Sequence, residues 1–243
     1  MSNPLDLSAY TVKPSTLNKP ELIVLYGPAG GGKSYLAATI SEVEGMAPVL
    51  IIDTEGSTAG TLHGFDDDLI DILPVHDHAT FEQITTALLE REHKYNTVII
   101  DTADVAQERA IEHFLEEWGA SNTFKAWGDV KSWTNGLARK FKAANFLGIM
   151  VFHETIDRTD SGAVLGRSIS LSGSAKEIMP GIPDVVGWVT RKVDKTLGRE
   201  ATTVEFSPDP KKATKNRFEL PEKMVDARMS DIFDHISKRE EKK

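Results

Sequence analysis

Residues 22 to 40 constrain this chain more than any other stretch. Leu22 to Tyr26 is a short apolar run of β-prone residues, the pattern of a buried strand. It runs straight into Gly27-Pro28-Ala29-Gly30-Gly31-Gly32-Lys33-Ser34, which fits G-x-x-x-x-G-K-[ST]. Tyr35 to Ile40 then reads as the first turns of a helix, with Leu36 and Ile40 spaced i, i+4. Between a strand and a helix, such a loop cradles phosphate. Glycines let backbone N–H groups close around the oxygens, and the helix N-terminus adds partial positive charge. A merely flexible Gly-rich turn would not need a strand and a helix on its flanks. Gly27, Pro28, Ala29, Gly30, Gly31, Gly32, Lys33, Ser34 and Tyr35 are therefore the expected binding residues for ATP. Lys33 is expected on the β- and γ-phosphates and Ser34 on Mg²⁺.

At 243 residues the chain suits one large α/β domain, or one domain with a small appendage. It has no cysteine, which excludes a disulfide framework and a Cys-based zinc site. No apolar run reaches the length of a membrane span, and the first residues lack the basic and apolar regions of a signal peptide. The expectation is a soluble cytoplasmic protein with no membrane partner. Charge is spread unevenly. Residues 1–120 carry 6 Lys and Arg against 20 Asp and Glu, whereas residues 121–243 carry 22 against 17. That asymmetry permits a polyanion on the C-terminal half without demanding one.

Along the chain, residues 1–20 read as an extended arm, 21–222 as the core and 223–243 as a C-terminal helix and tail. Val49 to Ile52, Ile70 to Val75 and Thr97 to Asp101 read as further strands, and Asn145 to Phe152 as the strand ending at His153. Helical spacing predicts helices over 79–92, from Ala106 to Trp118, and over 129–144. Strands separated by helices imply parallel βαβ units. Phe65 to Asp68 reads as a solvated acidic loop, and His76-Asp77-His78 as a loop and helix N-cap more readily than a metal site. Residues 157–174, rich in Gly and Ser, read as a long loop. Asp184 to Val193 and Ala201 to Phe206 read as an antiparallel hairpin, followed by the basic segment 211–218 and a closing helix over 224–240.

Three residues outside the glycine loop suggest hydrolysis. Asp101 ends an apolar strand, where an acid can hold Mg²⁺ through its water shell. Glu55 follows the strand at 49–52 and can orient and deprotonate a water, although a plain loop carboxylate fits the same position. His153, beyond the carboxyl end of a parallel strand, can donate a hydrogen bond to a γ-phosphate, or be structural. Trp118, Trp127 and Trp133 offer faces for stacking on bases, with core or interface packing as the simpler reading.

The order of these features resembles the RecA/RadA recombinase core: the glycine loop, a strand followed by Asp53-Thr54-Glu55-Gly56, Asp101-Thr102 after another strand, then a strand ending in a polar residue. The entry Lys19-Pro20-Glu21-Leu22-Ile23-Val24-Leu25-Tyr26-Gly27-Pro28 is most similar to phage-encoded RecA-like single-strand annealing ATPases. The resemblance implies an α/β, RecA-like P-loop NTPase fold, a mainly parallel twisted sheet flanked by helices with an antiparallel C-terminal hairpin. It implies Glu55 as catalytic base and His153 as γ-phosphate sensor, opening a DNA-binding loop over 154–174. It likens Lys215-Asn216-Arg217 to the pair that reaches a neighbouring subunit's nucleotide. It implies a homo-oligomer, ring or filament, on single-stranded DNA, with a single-strand binding protein as a candidate partner. Two departures stand out: no large N-terminal domain is expected ahead of the glycine loop, and the 154–174 loop is not strongly basic.

The expected function is Mg²⁺-dependent ATP hydrolysis coupled to assembly on single-stranded DNA, in recombination or strand annealing. Two rivals are a nucleotide-switched loader with negligible turnover and a small-molecule P-loop kinase.

Overall fold

The computed structural model describes residues 19–207 and 209–240. The chain begins with β1 (Leu22–Gly27), then α1 (Lys33–Ala38) and a 3-10 turn over Thr39–Glu42. Next come β2 (Val49–Asp53), a one-turn α2 (Thr58–Thr61), β3 (Ile70–Pro74), α3 (His78–Glu90) and β4 (Thr97–Asp101). Two long helices follow, α4 (Ala103–Trp118) and α5 (Thr123–Lys142), and then β5 (Leu147–Arg158), β6 (Val164–Ile169) and a short α6 (Ala175–Ile178). The C-terminal part holds β7 (Val185–Asp194), β8 (Arg199–Glu205), β9 (Lys215–Asn216), β10 (Lys223–Val225) and α7 (Met229–Glu240).

Ten strands join in the order β10-β8-β7-β1-β5-β4-β2-β3, with β6 on β5 and β9 on β7. From β7 to β3 every neighbour is parallel, whereas β6, β8, β9 and β10 pair antiparallel. β1, β2 and β4 are buried at every position, which is why each reads as an unbroken apolar run. Alternate side chains serve opposite faces. Leu22, Val24 and Tyr26 pack with Phe81, Leu137 and Phe141, while Ile23 and Leu25 pack with Leu36, Ile232 and Phe233. This is a RecA-like P-loop NTPase fold, an α/β sheet covered by helices on both faces, with the antiparallel strands added at its C-terminal side.

Three expectations change. The loop expected over 154–174 is in large part a hairpin: β5 runs on past His153 to Arg158, and β6 pairs back from Arg158↔Val164 to Glu154↔Ile169, with a bulge between Asp157 and Arg158. Its few apolar residues, Ile156, Val164, Leu165 and Ile169, do not alternate regularly, and the backbone ladder is joined by an ion pair between Arg167 and Glu154. Lys211 to Ala213 lies along β6, with Arg167 donating its N–H to Lys211 O at 2.7 Å and accepting from Ala213 at 3.2 Å. α5 starts six residues earlier than its periodic apolar face, at Thr123 rather than 129, because its first turns expose Phe124 and part of Trp127. The closing helix starts at Met229 rather than 224, since Lys223–Val225 pairs with β8. His76-Asp77-His78 is a helix start, where the Asp77 carboxylate accepts the Thr80 N–H at 2.8 Å. The N-terminal arm falls mostly on residues 1–18, outside the described residues. No helix among the described residues is long and apolar enough to cross a membrane.

Candidate nucleotide site

The glycine loop leaves the carboxyl end of β1, at the centre of the sheet between β7 and β5. Its composition is dictated by close backbone contact. A Cβ at Gly27 would lie 2.0 Å from Val189 O on β7. Gly32 has a φ of +88°, and a Cβ there would meet the Thr202 hydroxyl of β8 at 2.6 Å, so no side chain fits. The loop closes over Lys33, which is only 5 % exposed and donates from Nζ to Pro28 O at 2.8 Å. Burial pushes the Lys33 ammonium below its ordinary range, and Asp101 is the first of several acids opposing that shift.

Beyond the loop, neighbouring strand ends bring three more sequence-predicted residues to the same cleft. Asp101, at the end of β4, accepts from Ser34 Oγ at 3.1 Å and from Thr58 Oγ1 at 3.1 Å. Burial raises the Asp101 carboxyl above its usual range despite those two bonds. Glu55 sits in the turn after β2, a turn built by Asp53. One Asp53 oxygen accepts the N–H groups of Glu55 and Gly56 at 3.1 and 2.8 Å, and the other accepts Thr58 N–H at 3.1 Å. Thr54 pins this turn to the end of β4, donating to Thr102 O at 2.7 Å and accepting Thr102 N–H at 2.9 Å. Glu55 Oε1 accepts from Thr102 Oγ1 at 3.2 Å and faces His153 Nε2 at 3.5 Å. His153 lies opposite Gly27 in the β1–β5 register.

The cleft encloses about 790 Å³ and is lined on one side by residues 29–35, Glu55, Thr102 and His153. Its other wall was not legible in the sequence. It comes from the end of the β7–β8 hairpin and the turn after β10, with Arg191, Arg199, Thr202, Asp226 and Arg228. Each of these arginines has an acid partner. Arg191 lies 3.1 Å from Glu200, Arg199 takes both oxygens of Asp226, and Arg228 does the same to Glu42. Strand order brings them here: β7 lies beside β1, so whatever extends past Val189 overhangs the glycine loop. Tyr35 stands at the mouth with its ring edge-on to Phe65, centroids 5.4 Å apart.

Lys215 and Arg217 are not brought to this cleft. β9 pairs with the start of β7, at Val185 and Val186, so these residues stand at the opposite end of the parallel strands from the glycine loop. Lys215 Nζ donates to Gly181 O at 2.5 Å, and Arg217 Nη1 to Asp184 Oδ1 at 2.9 Å. Two tryptophans are packed. Trp133 lies against His78 and Phe81 and donates to Glu82, and Trp118 donates to Asp129 at 2.9 Å beneath the Lys125 ammonium. Trp127 stays partly exposed, over Gly173.

The sequence model of a family described as AAA domain matches residues 19–218, most of the chain. The protein belongs to that AAA domain family. Among solved structures, this AAA-family chain is similar in fold to the flagellar accessory protein FlaH from Methanocaldococcus jannaschii. The TM-score is 0.50 at 12% identity, covering 84% of this chain and 83% of that one. A search of curated proteins found no match.

Proposed function

We propose that this AAA-family chain binds ATP with Mg²⁺ in the cleft beside the glycine loop, hydrolyses it, and assembles on single-stranded DNA to promote recombination or annealing. The observation that carries the nucleotide part is convergence. Lys33, Ser34, Glu55 and His153 line one cleft, with Asp101 bonded to Ser34 beside it; they come from four separate strand ends, and the loop has no room for a side chain at Gly27 or Gly32. Backbone N–H groups and Lys33 would hold the β- and γ-phosphates, and Glu55 would take the proton of the attacking water. Ser34 and Asp101 present hard oxygen donors of the kind Mg²⁺ takes alongside phosphates and water, and the bound ion would neutralise phosphate charge.

The DNA part is supported by the hairpin of β5 and β6, which continues directly from His153. It exposes Leu165 and carries Arg158 and Arg167, with Lys211 and Lys212 alongside. Arg167 is engaged by Glu154 at 2.6 Å. That mixed charge keeps a second reading open: a nucleotide-switched interaction module in which the hairpin meets a protein. ATPase assays with and without single-stranded DNA, run beside sizing of complexes formed with ATP, separate the two. DNA-stimulated turnover in oligomers on DNA supports the first. Negligible turnover with no DNA complex refutes it and leaves the switch.

A further inference from the structure

Asp104 is an acid in this region that the proposed chemistry leaves unused. It lies in the first turn of α4, is 6 % exposed, and spends both carboxylate oxygens on one residue. Oδ1 accepts the backbone N–H of His153 at 3.2 Å, and Oδ2 lies 2.8 Å from the ring Nδ1. Topology explains the first bond: β4 last pairs with β5 at Asp101↔Val151, so beyond Val151 no β4 backbone stands opposite β5. The second bond has a chemical consequence. A carboxylate only accepts, so the neutral imidazole carries its proton on Nδ1 and keeps a lone pair on Nε2. Nε2 is the nitrogen that faces Glu55 Oε1 at 3.5 Å. Among the described residues, the charged groups within ion-pair distance of the ring are Asp104 from α4 and Glu55 from the turn after β2.

We propose that Asp104 is a positioning residue that holds His153 with its Nε2 lone pair toward Glu55, so that the imidazole receives the proton Glu55 takes from the attacking water. This rests on the hydrolytic reading of the site. In the step, the water O–H bond breaks as its oxygen bonds the γ-phosphorus, and the bridging P–O bond breaks with its electron pair leaving on ADP. The proton goes to the Glu55 carboxylate and then to Nε2. The resulting imidazolium keeps its Nδ1–H on Asp104. So held, neutral His153 does not donate to a phosphate through Nε2, which departs from the sensor role that the recombinase resemblance implies.

The test reads the imidazole directly. ¹⁵N NMR of the nucleotide-free protein, with His153 assigned by its loss in His153→Ala, reports which ring nitrogen is protonated. Wild type is expected to carry the proton on Nδ1, and finding it on Nε2 overturns the proposal whatever any variant does. In Asp104→Asn the amide oxygen can keep the His153 N–H while its NH₂ faces Nδ1, which moves the ring proton to Nε2. The kcat for ATP is then expected to fall about tenfold or more with KM within about twofold, a share of what acid–base catalysis supplies. Asp104→Asn placed in the His153→Ala background is expected to add no further loss. Additive losses, or an unchanged tautomer in Asp104→Asn, would mean that Asp104 merely supports the fold. If wild type turns over no ATP, the hydrolytic reading fails and the kinetic arm with it, while the NMR result still reports on His153 alone.

Discussion

Just before β7, Asp184 accepts the backbone N–H groups of Glu21 and Leu22 at 3.0 and 3.4 Å, the Lys142 ammonium, and Arg217 Nη1 at 2.9 Å. At the far end of the parallel strands, Asp101 accepts two neutral hydroxyls, from Ser34 and Thr58. Burial works against the charge of both. At Asp184 it is outweighed, first by the Lys142 hydrogen bond, and the carboxyl sits below its usual range. At Asp101 burial prevails and the carboxyl sits above it. An acid that braces a fold is neutralised by the fold itself. Asp101, given only hydroxyl partners, stays under-compensated beside the cleft, the pattern expected of a functional site.

Four experiments press on this contrast. The largest effect is expected from Lys33→Ala, which removes the glycine loop's side-chain charge and should abolish nucleotide binding or turnover at an unchanged melting temperature. Isothermal titration with ATP and a thermal melt check both halves, and near wild-type turnover in the folded variant would place the cleft's function elsewhere. Next is Lys215→Ala/Arg217→Ala, at the Asp184 end. If these cations reach a neighbour's nucleotide as an arginine finger does, turnover should drop by roughly 10³. Mixing this variant with Lys33→Ala should restore activity, because some junctions then pair an intact loop with intact cations. No recovery in a mixture shown to co-assemble would confine the pair to bracing Asp184 and Gly181.

Glu55→Gln should come third, slowing hydrolysis by about 10² or more while ATP affinity holds, since it removes only the base. Asp101→Asn should weaken Mg²⁺-dependent binding as well, and single-turnover kinetics with Mg²⁺ titrations distinguish the two. The smallest effects are on stability, and they separate the two acids. Asp184→Ala strands buried N–H groups and should cost about 1–3 kcal/mol in denaturant unfolding while leaving ATP affinity unchanged. Asp101→Asn should not lower the stability of the nucleotide-free protein.

The pH dependence divides the same way. The Asp184 carboxyl titrates lower in the folded chain than in the unfolded one. Its contribution is therefore present above the ordinary Asp value of about 4 and is lost as pH falls through the lower folded value. The raised Asp101 carboxyl keeps its proton longer when folded, so its contribution falls as pH rises from about 4 through the raised value. Acid titrations of Asp184→Asn and Asp101→Asn should each flatten one of these slopes.

The elements legible in advance share one trait: their signal is local. β1, β2 and β4 are apolar throughout because both faces of a parallel strand are covered, and that run needs no knowledge of neighbours to be read. The glycine loop is equally self-declaring. The hairpin of β5 and β6 reads as a loop because its apolar residues, Ile156, Val164, Leu165 and Ile169, do not alternate, and because its pairing and its Arg167–Glu154 ion pair join residues distant in sequence. The start of α5 was missed because Phe124 faces away from the core, outside the apolar periodicity.

Glu55 and Asp101 were found by their position after strands, but the reason they meet was not. Asp53 and Thr54 build the turn that carries Glu55, and Thr54 ties it to Thr102. The sequence by itself determined the phosphate loop, its lysine and serine, and the acids that follow the strands, because those depend on residue types at fixed short spacings. Only the tertiary structure decided which arginines wall the cleft, that Lys215 and Arg217 stand at the other end of the strands, and that Asp104 holds His153. Each of these follows from strand order, which places β7 beside β1 and ends β4 short of His153. Strand order is set by the packing of the whole sheet, and no local spacing encodes it.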